Sequence, residues 1–371
     1  MKVAIVHDWL TNMGGAERVI LALHEIFPDA PVFTMVHNPD KLPPEFVNID
    51  IRTSFIQKLP KAKTKYQTYL PFMPTAVEQF DLSEYDVVIS SSHACAKGVI
   101  TRPETLHICY CYTPMRYAWF LYHEYMRLER VSRIKRFIIP FLMNYLRMWD
   151  RLAADRVDDF IAISTGVGHR IKKYYRRESN IIFPPVDTGY YTPSDTVEDY
   201  FLVVSRLVAY KRADLAVEAF NRLGLPLVVV GDGPEMDKLR RMAKSNVRIM
   251  GRLSDEETRK YYAHCKAFIF PGEEDFGITP VEAQAAGRPV IAYGAGGTLD
   301  TVQKGVTGEF FYPQTADALA AAVKAFDAGK YDSQVIRKHA ENFDTRKFQD
   351  IFHEYVLKKF DEHSSSYLRR E

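Results

Sequence analysis

Apolar runs and turn-forming residues alternate along the whole chain. VAIVHDW (3–9) is a short apolar run ending at turn-like residues, and AERVILALHEIF (16–27) has helical periodicity behind Gly14 and Gly15. DVVISSS (86–92), LHICYCY (106–112) and DFIAIS (159–164) read as further buried strands. A second series begins at YFLVVSRL (200–207) and continues through LPLVVVGDGP (225–234), VRIMGRL (247–253), KAFIFPG (266–272) and PVIAYG (289–294). Each run is followed by a helix-like segment, which predicts an α/β protein with parallel sheets covered by helices. Between the two series lies FPPVDTGYYTPSDTVEDY (183–200), rich in Pro, Thr and Asp. It predicts a linker over 186–197 between one domain at 1–185 and another at 198–344.

Composition agrees with two domains. With 371 residues, 47% hydrophobic and 26% charged, the chain is too long for one compact core and too apolar for disorder. A formal net charge of +2 gives no global reason to expect nucleic acid, and the aromatics follow no RNA-binding motif. Cys95, Cys109, Cys111 and Cys265 show no CxxC pair, so they read as reduced thiols of a cytoplasmic protein, without a zinc site. No export signal is visible in MKVAIVHDWL, and FIIPFLMNYL (137–146) is too short to span a bilayer. SSS at 364–366 predicts a frayed C-terminus.

Open α/β sheets bind ligands beyond the C-terminal ends of their strands, so the residues just after each apolar run carry the candidate chemistry. TNMGGAER offers two glycines and a helix N-terminus where a phosphate would fit; an ordinary tight turn fits the same residues. SRLVAYKR sets Arg206 and Lys211 past a strand end, where guanidinium and ammonium could clamp a diphosphate; a solvated basic loop is the plainer reading. FPGEEDFGITPVEAQAAGRPVIA (270–292) puts Glu274 in a turn and Glu282 early in a helix whose start holds Pro280. Carboxylates accept paired hydrogen bonds from vicinal hydroxyls, so two of them suit a ligand with two hydroxyl-rich rings, such as a nucleotide sugar. Singly, Glu282 also reads as helix decoration and Glu274 as part of an acidic turn.

The order GG near the N-terminus, SRL-x-x-x-K, GDGP, E-x7-E, AAGRPVIA and GG-x-x-D resembles the retaining GT-B glycosyltransferases of glycosyltransferase family 4 over nearly the whole chain. CYTPMRYAW (111–119) resembles a subgroup that transfers mannose in bacterial surface-polysaccharide assembly. The resemblance implies two Rossmann-like domains facing a central cleft, with a C-terminal helix from about 345–371 crossing back to complete the first. It implies that Arg206 and Lys211 hold the donor diphosphate, Glu274 contacts the donor sugar and Glu282 the ribose. The main chain of Phe276, Gly277 and Ile278 would approach sugar and phosphate, and Arg252 and Leu253 the base. Gly14 and Gly15 match glycines on the phosphate and acceptor side, and His93 matches a histidine facing the reacting sugar. Tyr112, Arg116 and Tyr117 belong to the acceptor side. Departures from the pattern are Asp275 for a usual glycine and Asp300 for a usual glutamate.

The resemblance further implies GDP-mannose as donor, retention of anomeric configuration and no cofactor or metal, since no DxD motif is present and a cationic clamp stands in its place. A UDP-sugar donor, a sugar-nucleotide epimerase or hydrolase, and a silent binding subunit are the alternatives. Two segments suggest a lipid-linked acceptor on an anionic membrane. Residues 51–77 hold Arg52, Lys58, Lys61, Lys63 and Lys65 with no acid. Residues 126–151 hold seven basic residues against Glu129 and Asp150, with Ile134, Ile138, Phe141, Leu142 and Tyr145 at helical spacing. Pro140 is expected to kink or split that helix. The same stripe fits a core-facing helix with a solvated basic side.

Overall fold

A computed structural model of the protein describes residues 1–128 and 133–368. The chain divides into two compact units, 1–183 with 348–371 and 184–347.

The first unit is a seven-stranded sheet. Its strands are β1 (Val3–His7), β2 (Val32–Thr34), β3 (Ile51–Thr53), β4 (Val87–Ser92), β5 (Leu106–Cys111), β6 (Asp159–Ala162) and β7 (Asn180–Ile181), ordered β3-β2-β1-β4-β5-β6-β7 and parallel throughout. Every residue of β1, β4 and β5 is buried, including the polar His7, Ser90, Ser91, Ser92 and His107 among their apolar neighbours. Order reverses between β1 and β4, so the residues following these two strands sit at the switch point where such sheets bind ligands. The terminal helix Thr345–Leu368 packs on this unit: the Tyr355 hydroxyl donates to Asp159 at 2.7 Å, Lys359 pairs with Asp159 at 2.6 Å, and Phe352 meets Tyr110. Ser364, Ser365 and Ser366 lie inside that helix.

The helix Arg133–Asp155 runs through Pro140 as one element, so of the expected kink or split, the split does not occur there. Proline removes the hydrogen bond to the carbonyl four residues back, at Arg136, but both residues are exposed, so water can satisfy that oxygen. The inner face buries Met143, Leu146, Trp149 and Ala153; Leu142 is half-buried. A second apolar stripe faces out: Phe137, Ile138, Phe141, Tyr145, Met148 and Leu152 are all exposed. Glu129 and Arg130 of the expected basic stretch, and the side chain of Ile134, lie outside the described residues.

The second unit is a six-stranded parallel sheet of β8 (Phe201–Val204), β9 (Leu227–Val230), β10 (Val247–Gly251), β11 (Ala267–Phe270), β12 (Val290–Tyr293) and β13 (Gly308–Phe311), ordered β10-β9-β8-β11-β12-β13. Its switch point falls between β8 and β11. Residues 186–197 belong to this unit rather than standing clear of it: the Val186 amide donates to Phe343 O at 2.9 Å and the Thr188 hydroxyl to the Asp344 carboxylate. Proline-rich composition reads the same in a packed loop as in a free linker.

Candidate functional site

At the second unit's switch point, tight backbone packing brings the candidate residues together. Gly272 ends the β11 run, and a Cβ there would lie 2.8 Å from the Lys211 carbonyl, so only glycine lets the loop after β8 lie against the loop after β11. That approach sets the Lys211 ammonium in an ion pair with Glu274, both side chains largely buried. The Glu274–Phe276 turn is held from its other side by Gly296 and Gly297. The Gly297 amide donates to Glu274 O at 2.8 Å, and Cβ atoms at the two glycines would come within 2.2 Å of Glu274 O and of Phe276 Cα. Gly277, at φ +88°, turns the chain into the helix Ile278–Ala285, whose first turn carries no acid. The positive end of that helix therefore opens beside the Lys211–Glu274 pair in sequence, with buried Asp275 two residues before Gly277.

Arg206 is exposed past β8. The GDGP loop stitches this end of the sheet together: the Leu207 amide donates to Asp232 O at 2.9 Å and the Gly231 amide to Gly251 O at 2.8 Å. Arg252 and Leu253 thus begin at the end of β10, two strands from β8. Glu282 is buried and accepts a 2.9 Å hydrogen bond from the Tyr262 hydroxyl. Arg288 of the AAGRPVIA segment is scaffold: its guanidinium donates to the Ala263 and Ser194 carbonyls.

The first unit gathers a second cluster. Asp8, immediately after β1, is fully buried, and its carboxylate accepts four backbone hydrogen bonds, from His93 (2.7 Å), Ala94 (2.9 Å), Cys95 (2.7 Å) and Ala96 (2.7 Å). The His93 Nδ1 stands 3.1 Å from the same carboxylate. Burial raises the Asp8 pKa, yet the His93 and His7 imidazoles and the backbone donors outweigh it and hold the carboxyl below its usual value. Burial holds His93 below its usual value, offset only in part by Asp8 and reinforced by the Arg116 charge nearby. Trp9 meets the His93 ring edge-on at 4.7 Å. Tyr112 joins the cluster by donating to Ala16 O at 3.2 Å and sharing a 2.8 Å hydrogen bond with Ser91 Oγ, which in turn meets His7 Nδ1 at 3.0 Å. Tyr117 is half-buried against the core.

Gly14 caps the helix Gly15–Ile26, and Glu17 lies in its first turn, with a carboxylate oxygen 3.0 Å from where a Gly14 Cβ would be. An acid of the chain itself thus lies at the helix end that holds Gly14 and Gly15. Behind the cluster, Lys97 and Asp150 form a fully buried ion pair. Lys97 also donates to Ala94 O at 3.1 Å, and Asp150 accepts from Trp119 Nε1 at 2.7 Å and the Tyr175 hydroxyl at 2.8 Å.

Sequence reasoning does not single out Asp8, Lys97 or Asp150. Asp8 had a visible signal, an acid directly after a buried strand at a switch point; the other two are 53 positions apart and only the fold pairs them. Among the described residues no group of three or more His, Cys, Asp or Glu side chains could hold a metal ion, and no helix is long and apolar enough to cross a membrane.

Residues 192–343, almost the whole second unit, match the family described as Glycosyl transferases group 1. The second unit is a glycosyl transferases group 1 domain. Lys211, Glu274 and Glu282 all lie within this group 1 domain. The O-antigen chain mannosyltransferase C of Escherichia coli is 33% identical over 167 residues, 43% of this chain and 44% of that protein. A GDP-mannose-dependent alpha-mannosyltransferase of Corynebacterium glutamicum is 39% identical over 106 residues, 28% of this chain and 25% of that protein. The chain thus aligns with a quarter to under half the length of these curated relatives. The crystal structure of Anabaena HepE in complex with UDP matches at TM-score 0.71 and 18% identity, covering 96% of this chain and 100% of that one. At that identity the match bears on the fold, and both units have the parallel α/β architecture of GT-B glycosyltransferases.

Proposed function

We propose that the protein is a glycosyltransferase that moves a hexose with retention, mannose from GDP-mannose, onto a lipid-linked oligosaccharide during assembly of a bacterial O-antigen, capsule or exopolysaccharide. The observation that carries the reading is the Lys211–Glu274 pair at the group 1 domain's switch point, followed directly by the helix start at Gly277–Ile278. A cation beside a helix N-terminus suits a diphosphate, and a carboxylate beside both suits sugar hydroxyls. Arg206 and Lys211 together neutralise the charge that develops on the departing phosphate, so the reaction needs no metal ion. The departing phosphate oxygen takes the acceptor's proton as the new bond forms on the same face. Mannose is supported by the names of the two mannosyl-transferring relatives.

The exposed apolar stripe of the helix Arg133–Asp155, together with exposed Lys58, Lys61, Lys63 and Lys65, supports peripheral attachment to the anionic cytoplasmic face of a membrane carrying the acceptor. A UDP-sugar is the second donor reading, favoured by the UDP held in the HepE structure. The test is thermal stabilisation by GDP-mannose, UDP-glucose, ADP-glucose and dTDP-glucose with EDTA present. A selective rise with GDP-mannose is expected. A selective rise with a UDP-sugar replaces the donor, and a requirement for divalent metal overturns the metal-free clamp.

A further inference from the structure

The geometry points to Asp8 as the positioning residue that fixes which nitrogen of His93 faces the ligand. The inference rests on the reading of His93 as the residue that faces the reacting sugar. It is carried by four amide donors on one buried carboxylate and by the approach of His93 Nδ1 to the same group. Oδ1 accepts the Cys95 and Ala96 amides; Oδ2 accepts the His93 and Ala94 amides and lies 3.1 Å from His93 Nδ1. Four backbone N–H groups converging on a buried carboxyl demand its ionised form, because a carboxylic acid proton would meet a donor.

An ionised carboxylate only accepts hydrogen bonds, so the nitrogen facing it must carry a proton. A lone pair on Nδ1, 3.1 Å from that negative charge, would be repelled, so in neutral His93 the proton sits on Nδ1 and the lone pair falls on Nε2. Free imidazole side chains favour the opposite arrangement, so this tautomer is one the protein imposes. The ring is also fixed in orientation, with Trp9 edge-on at 4.7 Å and Tyr112 at 6.0 Å, while 30% of the side chain stays exposed. The outcome is an imidazole whose Nε2 is a hydrogen-bond acceptor. It can accept from a sugar hydroxyl, and it cannot donate to a phosphate oxygen unless the ring gains a second proton. The same four amide bonds set the 93–96 backbone, so Asp8 fixes both the position of His93 and its chemical polarity.

The decisive experiment reads the tautomer directly. Protein labelled with 15N-histidine at pH 8, with the His93 signals identified by their loss in His93→Gln, is expected to show a neutral ring protonated on Nδ1. A ring protonated on Nε2, or on both nitrogens, overturns the inference whether or not the protein transfers sugar. Kinetics supply the second arm: Asp8→Asn is expected to lower kcat ~10- to 100-fold with little change in donor KM, and to add nothing in a His93→Ala background. A full multiplicative loss in the double variant would mean that Asp8 acts independently of His93. If Asp8→Asn does not fold, the wild-type spectrum alone decides. Absence of any sugar transfer with an Nδ1–H ring would remove the proposed function and leave the Asp8–His93 relationship standing.

Discussion

Lys211 is ion-paired with Glu274 across two loops that only a glycine at 272 allows to touch. The two residues that the proposed function assigns to a diphosphate and to a sugar thus neutralise each other, and a ligand must divide them. A nucleoside diphosphate without its sugar competes with Glu274 for Lys211. Glu274→Gln is therefore expected to bind GDP or UDP about fivefold more tightly, on the order of 1 kcal/mol for a partly screened pair, while turnover falls. Calorimetric titration checks it; unchanged or weaker binding would show that Glu274 does not compete for the lysine.

Lys211→Ala removes the cation itself. It is expected to cost ~3 kcal/mol in kcat/KM, roughly a hundredfold, in a chain that still folds. Turnover equal to wild type would remove Lys211 from the clamp.

Gly297→Ala tests the support of the turn. A methyl group there meets Phe276 Cα and O at 2.2 Å, both backbone, so the Glu274–Phe276 segment must shift. Overpacking of this kind costs ~1–3 kcal/mol of stability and should weaken nucleotide binding at least tenfold. A crystal structure of the variant with the turn unmoved would contradict the account.

The buried Lys97–Asp150 pair makes a further stability prediction. Asp150→Ala leaves an uncompensated ammonium in the core and should cost about 3–5 kcal/mol in urea unfolding, whereas Lys97→Met with Asp150→Leu should cost markedly less. Equal losses would indicate that Trp119 and Tyr175, not the charge, depend on Asp150.

Acid should destabilise the first unit through His107. Burial first, and the Arg156 charge second, push its pKa down to about 3, with Nε2 against Ser90 Oγ at 2.8 Å. Between about 6.5 and about 3 the unfolded chain binds the proton and the folded one does not, so stability falls as pH drops through that window. By pH 5 the loss amounts to ~2 kcal/mol. His107→Gln should show a shallower decline in melting temperature from pH 7.5 to 5; an identical slope would assign the effect to other groups.

Much of the second unit is legible in the sequence because its buried strands are uninterrupted apolar runs with the site loops attached. β3 and β7 escape notice because they are edge strands of three and two residues with partly or fully exposed side chains, and β13, GEFF, opens on glycine. Glu274 and Lys211 can be singled out by spacing, but their pairing cannot: it depends on Gly272 and on two loops 60 residues apart. The helix Arg133–Asp155 shows a different limit. Its apolar residues fit either a core face or an outward stripe, and the structure has both, because the positions between Phe137 and Leu152 supply two apolar arcs of one cylinder.

The two sheets, alike in strand order around their switch points, treat negative charge in opposite ways. In the first unit the converging amides at 93–96 and the start of the helix Gly15–Ile26 already have their anions, Asp8 and Glu17, written into the chain. In the second, the first turn of the helix Ile278–Ala285 carries no acid. One half of the molecule is electrostatically complete from the moment it folds; the other, on the proposed function, is completed each time a phosphate arrives.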